Sequence, residues 1–226
     1  MNPDAFSRRR FALLAASLFT LRSRLGWATE ADDRAARVVY VQPLAPMPSD
    51  AEIACVEQAL RGFYDTRVSV LSAIPMPKGA FYAPRQRYRA DNVLTALDRL
   101  LPERGLRILG VTAADISTTK GNVFDWGIMG LARMPGRSCV VSSFRCKRRA
   151  TGPDNATIRL AKTAVHELGH TFGLEHCPTL GCLLEDAGGS VLTTDREYDL
   201  CTVCRTKLAS AAVVRETRAI PWPKPT

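Results

Sequence analysis

The spacing of apolar positions switches repeatedly between the period of a strand and that of a helix from about residue 37 onward. Runs rich in β-branched and aromatic residues predict strands at Arg37–Gln42, Thr66–Ile74, Leu106–Thr112 and Ser138–Phe144. Apolar residues three and four apart predict helices from a Ser49 cap to about Tyr64, from an Asp91 cap to Leu101, from about Ala156 to Gly173, and over Thr202–Val214. This alternation indicates an α/β domain of roughly 150 residues.

Three stretches between these elements have no clear period. We expect Pro75–Arg89, rich in Pro, Arg and Tyr, to be an ordered surface loop, and Ala113–Asn122 to be a loop. Phe124–Met134 is expected to hold a short edge strand. The tail after residue 216 is proline-rich, so we predict that Ile220–Pro225 is extended and poorly anchored.

The N-terminus has the pattern of an export signal. Ser7–Leu13 resembles the twin-arginine motif, and an apolar stretch, Phe11–Leu21, follows it. Gly26–Ala28 then offers a small-x-small cleavage site. We therefore expect residues 1–28 to be a signal peptide and the mature protein to be periplasmic or secreted. The alternative is a basic, fraying helix on a cytoplasmic protein.

Much of the net positive charge lies in this predicted signal peptide, so charge adds little evidence about function. The 226-residue chain has a formal charge of +9. Residues 1–28 carry five arginines and one aspartate, so the chain without them keeps +5. We therefore expect no nucleic-acid partner, because one basic run without interleaved aromatic residues is weak support for such binding. No apolar run reaches the ~18–20 residues of a membrane span, so stable insertion is expected only if the signal is left uncleaved.

All three histidines fall within eleven consecutive residues, at the end of the third predicted helix and just after it. His166 and His170 are four apart, so they share one helix face and can bind a single zinc ion. Gly173 can end the helix in a left-handed conformation, which lets the chain return His176 to the same metal. Three neutral ligands leave a fourth position for water, which is typical of catalytic zinc. Glu167 is the expected general base for that water.

Four cysteines follow directly. Cys177 and Cys182 form a C-x4-C pair, and Cys201 and Cys204 form a C-x2-C pair after eighteen intervening residues. Two such pairs suit a tetrahedral, closed, structural zinc site, which would connect the loop after His176 to the C-terminal helix. Two disulfides are the alternative in an exported protein.

The segment His166–Cys204 resembles the signature of the archaemetzincins, and the resemblance extends over about Arg37–Val214. It implies a metzincin-like α/β (α+β) fold. Its twisted, mostly parallel sheet has an antiparallel edge strand over the cleft, with the zinc helix beneath. The catalytic domain would span residues 29–216, include the zinc element 177–204, and precede a proline-rich tail at 217–226. One departure is Leu184, because the family places methionine there, and we expect Leu184 to keep a hydrophobic floor under the zinc.

This resemblance implies a zinc metallopeptidase with two zinc ions, one catalytic and one structural, that acts on peptides or proteins and is aminopeptidase-like in some members. We expect a monomer. An edge strand around Gly127–Arg133 would align the substrate by strand addition. A catalytically inactive, zinc-stabilised peptide-binding module is the alternative, motivated by Leu184.

Two smaller questions stay open in the sequence. Cys139 and Cys146 flank a predicted strand and could pair after export. A basic run, at Arg145 and Lys147–Arg149, precedes the zinc helix. It is either a solvated loop or, if it borders the cleft, a site for acidic substrate groups.

Overall fold

The computed structural model describes residues 37–211, 213 and 220–225, so the predicted signal peptide lies outside the described residues. Val38–Thr226 form one compact unit. Nine strands are described: β1 Val38–Leu44, β2 Arg67–Val70, β3 Phe81–Tyr82, β4 Arg87–Arg89, β5 Arg107–Thr112, β6 Ile116–Lys120, β7 Val123–Ile128, β8 Gly130–Ala132 and β9 Ser138–Ser142. The described α-helices are α1 Asp50–Phe63, α2 Ala90–Leu100, α3 Ser143–Cys146, α4 Pro153–Thr171, α5 Thr193–Arg196 and α6 Thr202–Ser210.

The main sheet has five strands in the order β2-β1-β5-β9-β8. Its first four strands are parallel, and β8 pairs antiparallel with β9 at the edge. Alternate side chains of β5 point to opposite faces, so Leu109 and Val111 pack with α1 and α4 while Ile108 packs with α2. Both faces are covered, which is why β5 and β9 consist almost entirely of buried residues. The predicted mixed α/β fold with an antiparallel edge strand is confirmed.

The first residues of two helices test the N-caps that the sequence predicted. Ser49 caps α1 as predicted, because Glu52 N donates to Ser49 Oγ (3.2 Å) while Ser49 N donates to Glu52 Oε2 (2.7 Å). The predicted Asp91 cap is wrong, since the N-cap of α2 is Arg89, two residues earlier, and its side chain makes no capping hydrogen bond. Asp91 lies in the first turn instead and accepts a hydrogen bond from Thr118 Oγ1 (3.0 Å).

A second, smaller sheet occupies the two stretches that the pattern predicted as loops. Its order is β3-β4-β6-β7. Within Ala113–Asn122, β6 reads Ile-Ser-Thr-Thr-Lys and carries only one large apolar side chain, so it shows no apolar alternation. It is a strand because it pairs antiparallel with β7 across a turn at Gly121, where φ is 55°. The hairpin β6–β7 projects beside the cleft described below.

The C-terminal segment is anchored at one point. The Trp222 side chain is buried, stacks on Phe63 with ring centroids 5.4 Å apart, and donates from Nε1 to the carbonyl of Tyr198 (2.9 Å). The expectation of a poorly anchored tail is therefore wrong at this residue. Among the described residues, no helix is long and apolar enough to cross a membrane.

Candidate active site and metal centres

Helix α4 and the turn after it bring the three histidines together. His166 and His170 lie on adjacent turns of α4, with their Nε2 atoms 2.9 Å apart. Gly173 has φ of 87° and leads the chain out of the helix. His176 then returns, with its ring centroid 5.4 Å from that of His166 and 4.9 Å from that of His170. One nitrogen of each ring lies within 4.8 Å of the others, so the predicted cluster is present.

The hydrogen bonds of two of these rings determine which nitrogen carries the proton. His166 Nδ1 lies 2.7 Å from the carbonyl oxygen of Leu183, and His170 Nδ1 contacts the carbonyl of Leu174. A carbonyl oxygen only accepts, so each Nδ1 is the protonated nitrogen and each Nε2 presents a lone pair. Burial lowers the pKa of His166 to about 3, so its ring is neutral. The facing lone pairs of the two Nε2 atoms, 2.9 Å apart, repel each other, and a cation bound by both nitrogens would remove this repulsion.

Glu167 lies between the helix and the edge strand of the main sheet. Its side chain is 7% exposed. A Cβ added to Gly130 on β8 would be 2.5 Å from Glu167 Cγ, so glycine is what allows this close approach. Burial raises the pKa of Glu167 to about 8. A positive charge at the neighbouring histidines would favour its carboxylate form.

Leu184 packs against helix α4 at Gly169, the residue before His170. It is fully buried, and both of its terminal methyl carbons lie 3.4 Å from where a Cβ on Gly169 would be. Its carbonyl oxygen accepts from Cys177 N (2.7 Å), while the preceding carbonyl, that of Leu183, accepts from His166. One short segment therefore supports both the histidines and the first cysteine.

The four predicted cysteines also come together. Their Sγ atoms lie within 4.8 Å of one another, with Cys177 and Cys201 3.6 Å apart and Cys182 and Cys204 3.8 Å apart. Sulfur atoms at the corners of a tetrahedron around zinc are about 3.8 Å apart, given a Zn–S bond of about 2.3 Å. Backbone N–H groups of Thr179 and Cys201 donate to two of the sulfur atoms. The geometry fits a tetrathiolate zinc site.

All seven cysteines are free thiols, so the disulfide alternatives do not apply in this structure. Cys139 and Cys146 are fully buried. Burial raises the pKa of Cys146 to about 12, which keeps it a neutral core residue.

A cavity of about 630 Å³ opens beside the histidines. It is lined by His166, Glu167 and His176, and by three further walls: the hairpin β6–β7, the segment after α3, and the segment 186–197. Arg148 and Arg149 line it, so the basic run does border the cleft. Arg145 lines it too, but its guanidinium is paired with Asp115 at 2.7 and 3.0 Å.

The sequence analysis missed several buried charged residues of this region, of which Arg159 and Glu197 are the least exposed. Arg159 of α4 is 1% exposed and donates to the carbonyls of Cys146 (3.0 Å) and Arg148 (2.8 Å) and to the Asp195 carboxylate (2.7 Å). Glu197, in the spacer between the cysteine pairs, is also 1% exposed and lines the cavity. Neither belongs to a motif, and charged residues are ordinarily predicted at the surface, so no local signal distinguished them.

Comparison with known proteins agrees with the fold and the site. Residues 66–210 match Peptidase family M54. The archaemetzincin of Haloquadratum walsbyi is 31% identical over 174 residues, which cover 74% of this chain and 96% of the relative. That of Pyrococcus abyssi is 29% identical over 181 residues, which cover 76% and 94%.

Two solved structures are also similar. The archaemetzincin of Archaeoglobus fulgidus, crystallised as a malonate complex, is 30% identical with a TM-score of 0.63, covering 75% of this chain and 99% of that one. The archaemetzincin of Methanopyrus kandleri is 31% identical with a TM-score of 0.64, covering 77% and 93%. Fold, histidine cluster and similarity together define a zinc metallopeptidase. The chain belongs to peptidase family M54, whose relatives named above are archaemetzincins.

Proposed function

We propose that this chain hydrolyses peptide bonds at the histidine cluster, with His166, His170 and His176 holding zinc and Glu167 as the general base. The observation that supports this most is the pair of facing Nε2 lone pairs, each oriented by a carbonyl at the opposite ring nitrogen. A hydrogen bond from the second ring nitrogen to a backbone carbonyl is typical of metal-ligating histidines. The buried carboxylate of Glu167 lies in the same cavity.

Zinc, when bound there, supplies a Lewis acid that polarises the scissile carbonyl and makes a water molecule more acidic. Glu167 takes a proton from the attacking water at a carboxylate oxygen and returns it to the nitrogen of the leaving amine. Leu184 keeps the underside of the histidines dry and packed. The carbonyls of Leu183 and Leu174 hold the first two rings in orientation.

Strand β8 is the proposed guide for the substrate. Among the described residues it pairs with β9 on one side only, and Gly130 at its start contacts Glu167. An extended peptide that adds to this free edge would run directly past the carboxylate. This is the segment within Gly127–Arg133 that the sequence predicted for strand addition.

The cysteine cluster is proposed to hold the second zinc ion as a structural element. Four thiolates complete a tetrahedral shell and leave no position for water. The cluster connects the loop after His176 to α6 through Cys201 and Cys204, which precede and begin that helix. Metal analysis of the purified protein should therefore give two zinc ions per chain.

The test of hydrolysis is a mixed peptide library incubated with zinc-loaded protein and read by mass spectrometry. A Glu167→Gln variant with equal zinc content serves as the control. We expect cleavage by the wild type alone, and the fragments distinguish trimming of ends from internal cuts. Peptide binding without cleavage by either protein would instead favour the inactive binding module.

Export by a twin-arginine signal at residues 1–28 is a separate proposal, supported by the Ser7–Leu13 pattern. The test fuses this segment to a reporter that is active only after folded export. An Arg8→Lys, Arg9→Lys, Arg10→Lys triple variant is the control. Equal export of the two fusions would contradict the proposal.

A further inference from the structure

One carboxylate in the catalytic cavity has no use in the hydrolysis described above. Glu197 lines the cavity together with His166 and Glu167, and its side chain is 1% exposed. Its Oε2 atom is completely buried and has no hydrogen-bond partner. Buried carboxylate oxygens are normally hydrogen-bonded, so an unpartnered one next to a cavity requires an explanation.

The cations around Glu197 are engaged elsewhere. Arg196 pairs with Glu185, and Arg159 pairs with Asp195. Lys162 is the remaining buried cation of this region, and its Nζ donates to the carbonyl of Thr194 at 2.7 Å.

The Lys162 ammonium also lies 5.7 Å from the centroid of the Trp222 ring. No ion pair to Glu197 occurs among the described residues, although the charge of Lys162 lowers its pKa through space. Burial is the stronger influence and raises the pKa of Glu197 to about 8. The protein therefore buries this carboxylate without giving it a counter-ion in direct contact.

The walls next to Glu197 can accept a polar group. Thr163, one helical turn before Glu167, lines the same cavity, as does Thr194. Lys120, Arg145, Arg148 and Arg149 also line the cavity, and among the described residues none of them forms an ion pair with Glu197. A cavity of about 630 Å³ accommodates at least one long side chain beside the reacting peptide.

We propose that Glu197 anchors a positively charged group of the substrate inside the catalytic cavity. That group is an ammonium or guanidinium, carried either by a lysine or arginine side chain or by the free N-terminus of the peptide. An ion pair there would give the buried carboxylate the counter-ion that it lacks among the described residues. This inference rests on the proposed hydrolysis and names the substrate class for the same site.

The test compares wild type and Glu197→Gln on matched peptides. The peptides differ only by lysine or norleucine at one position at a time, and each is made with a free and an acetylated N-terminus. We expect the wild type to prefer one charged form by about tenfold or more in kcat/KM, the size of a hydrogen bond to a charged group. Glu197→Gln should abolish that preference and leave the norleucine, acetylated peptides little changed.

This set of peptides distinguishes a charge on a side chain from a charge on the free N-terminus. A preference for lysine at one position identifies a side-chain anchor, while a preference that acetylation removes identifies an N-terminal anchor and end-trimming activity. Asp186→Asn is the matched control, because Asp186 is an exposed acid of the same cavity and its removal should leave the preference intact. An unchanged charge preference in Glu197→Gln, or an equal loss on all peptides with a lower Tm, would overturn the proposal.

A binding measurement separates this inference from hydrolysis itself. Zinc-loaded Glu167→Gln, with and without Glu197→Gln, is titrated into the same peptides carrying a fluorophore at the C-terminus. Weaker binding of the charged peptide to the double variant supports the anchor even if the wild type cleaves nothing. Cleavage by the wild type without any charge preference leaves hydrolysis standing and rejects the anchor.

Discussion

The histidine cluster ends at His176 and the cysteine cluster begins at the next residue, Cys177, yet the two differ in access and in ligand number. Two of the three histidines, His166 and His176, line a cavity, and His176 is exposed. Four sulfur atoms face one another, three of them on buried residues, and backbone amides donate to two of them. Access and ligand number, more than the identity of the metal, distinguish a reactive centre from a structural one.

The clusters also differ in how much of the chain they connect. The histidines span one helix and its following turn, so their geometry is mostly local. The cysteines join a loop after α4 to the start of α6 across a long spacer. We therefore expect damage to the cysteines to appear as lost stability, and damage at the histidine site to appear as lost activity.

The largest effect is expected from Cys182→Ser. Structural zinc contributes about 10–16 kcal/mol of apparent binding free energy in small zinc domains, comparable to the whole stability of a typical domain. The variant should be insoluble or unfold more than about 10 °C lower, and soluble protein should lose one zinc. Thermal unfolding and metal analysis measure both quantities.

Cys55→Ser is the control for this change, because Cys55 is a half-buried thiol of α1 outside the cluster. It should keep both zinc ions and shift Tm by less than about 4 °C. A Cys182→Ser protein with full zinc content and normal Tm would remove the structural role from the cysteine cluster.

Glu167→Gln should lose activity while its thermal stability stays equal or rises, the opposite of the result expected for Cys182→Ser. Loss of a general base lowers kcat by about 10²–10⁴-fold. The glutamine is nearly isosteric and removes a buried charge, so Tm should be equal to or above that of the wild type. Steady-state kinetics and a melting curve on the same zinc-loaded sample test this. Activity within tenfold of the wild type would exclude Glu167 as the base.

Gly130→Ala should lower the activity without changing any of the proposed zinc ligands. The new Cβ would lie 2.5 Å from Glu167 Cγ, so the carboxylate must move. A displacement of about 1 Å can cost about 10²-fold in rate. Gly152→Ala is the matched control, because no atom lies within 4 Å of its added Cβ. Equal kcat for the two variants would show that the close approach of β8 is not needed.

Leu184→Met should have the smallest effect, and it acts on both clusters at once. Leu184 contacts Gly169 through its side chain and Cys177 through its carbonyl. Swaps of similar volume cost less than about 1.5 kcal/mol, which corresponds to less than about 6 °C in Tm. Kinetics and melting should both stay near the wild type. A large gain in kcat would mean that leucine had impaired the active site.

Sequence patterns predicted the features that depend on short spacings. The histidine and cysteine clusters follow from ligands a few residues apart, and the strands of the main sheet follow from apolar runs that need both faces covered. The second sheet could not be predicted, because β6 has only one large apolar residue and its pairing with β4 and β7 leaves no periodic signal in the sequence. Tertiary pairing overrode a weak local pattern there.

The missed residues of the site share another cause. Arg159 and Glu197 look like surface residues in the sequence, and only the fold reveals that each is 1% exposed. Trp222 lies in a proline-rich tail whose composition indicates an extended chain, and its contact with Phe63 is made across most of the domain's sequence. Long-range burial of single residues leaves no periodic signal.

The Arg159 guanidinium has a mechanical consequence for the cleft. It holds the carbonyls of the basic segment after α3 and the carboxylate of Asp195 on α5, two segments that border opposite parts of the cavity. Outward movement of the segment after α3 would break the hydrogen bonds to its carbonyls, and outward movement of α5 would break the ion pair with Asp195. Both walls of the cleft are thus fastened to a single side chain of the zinc helix, and loss of that guanidinium would loosen both.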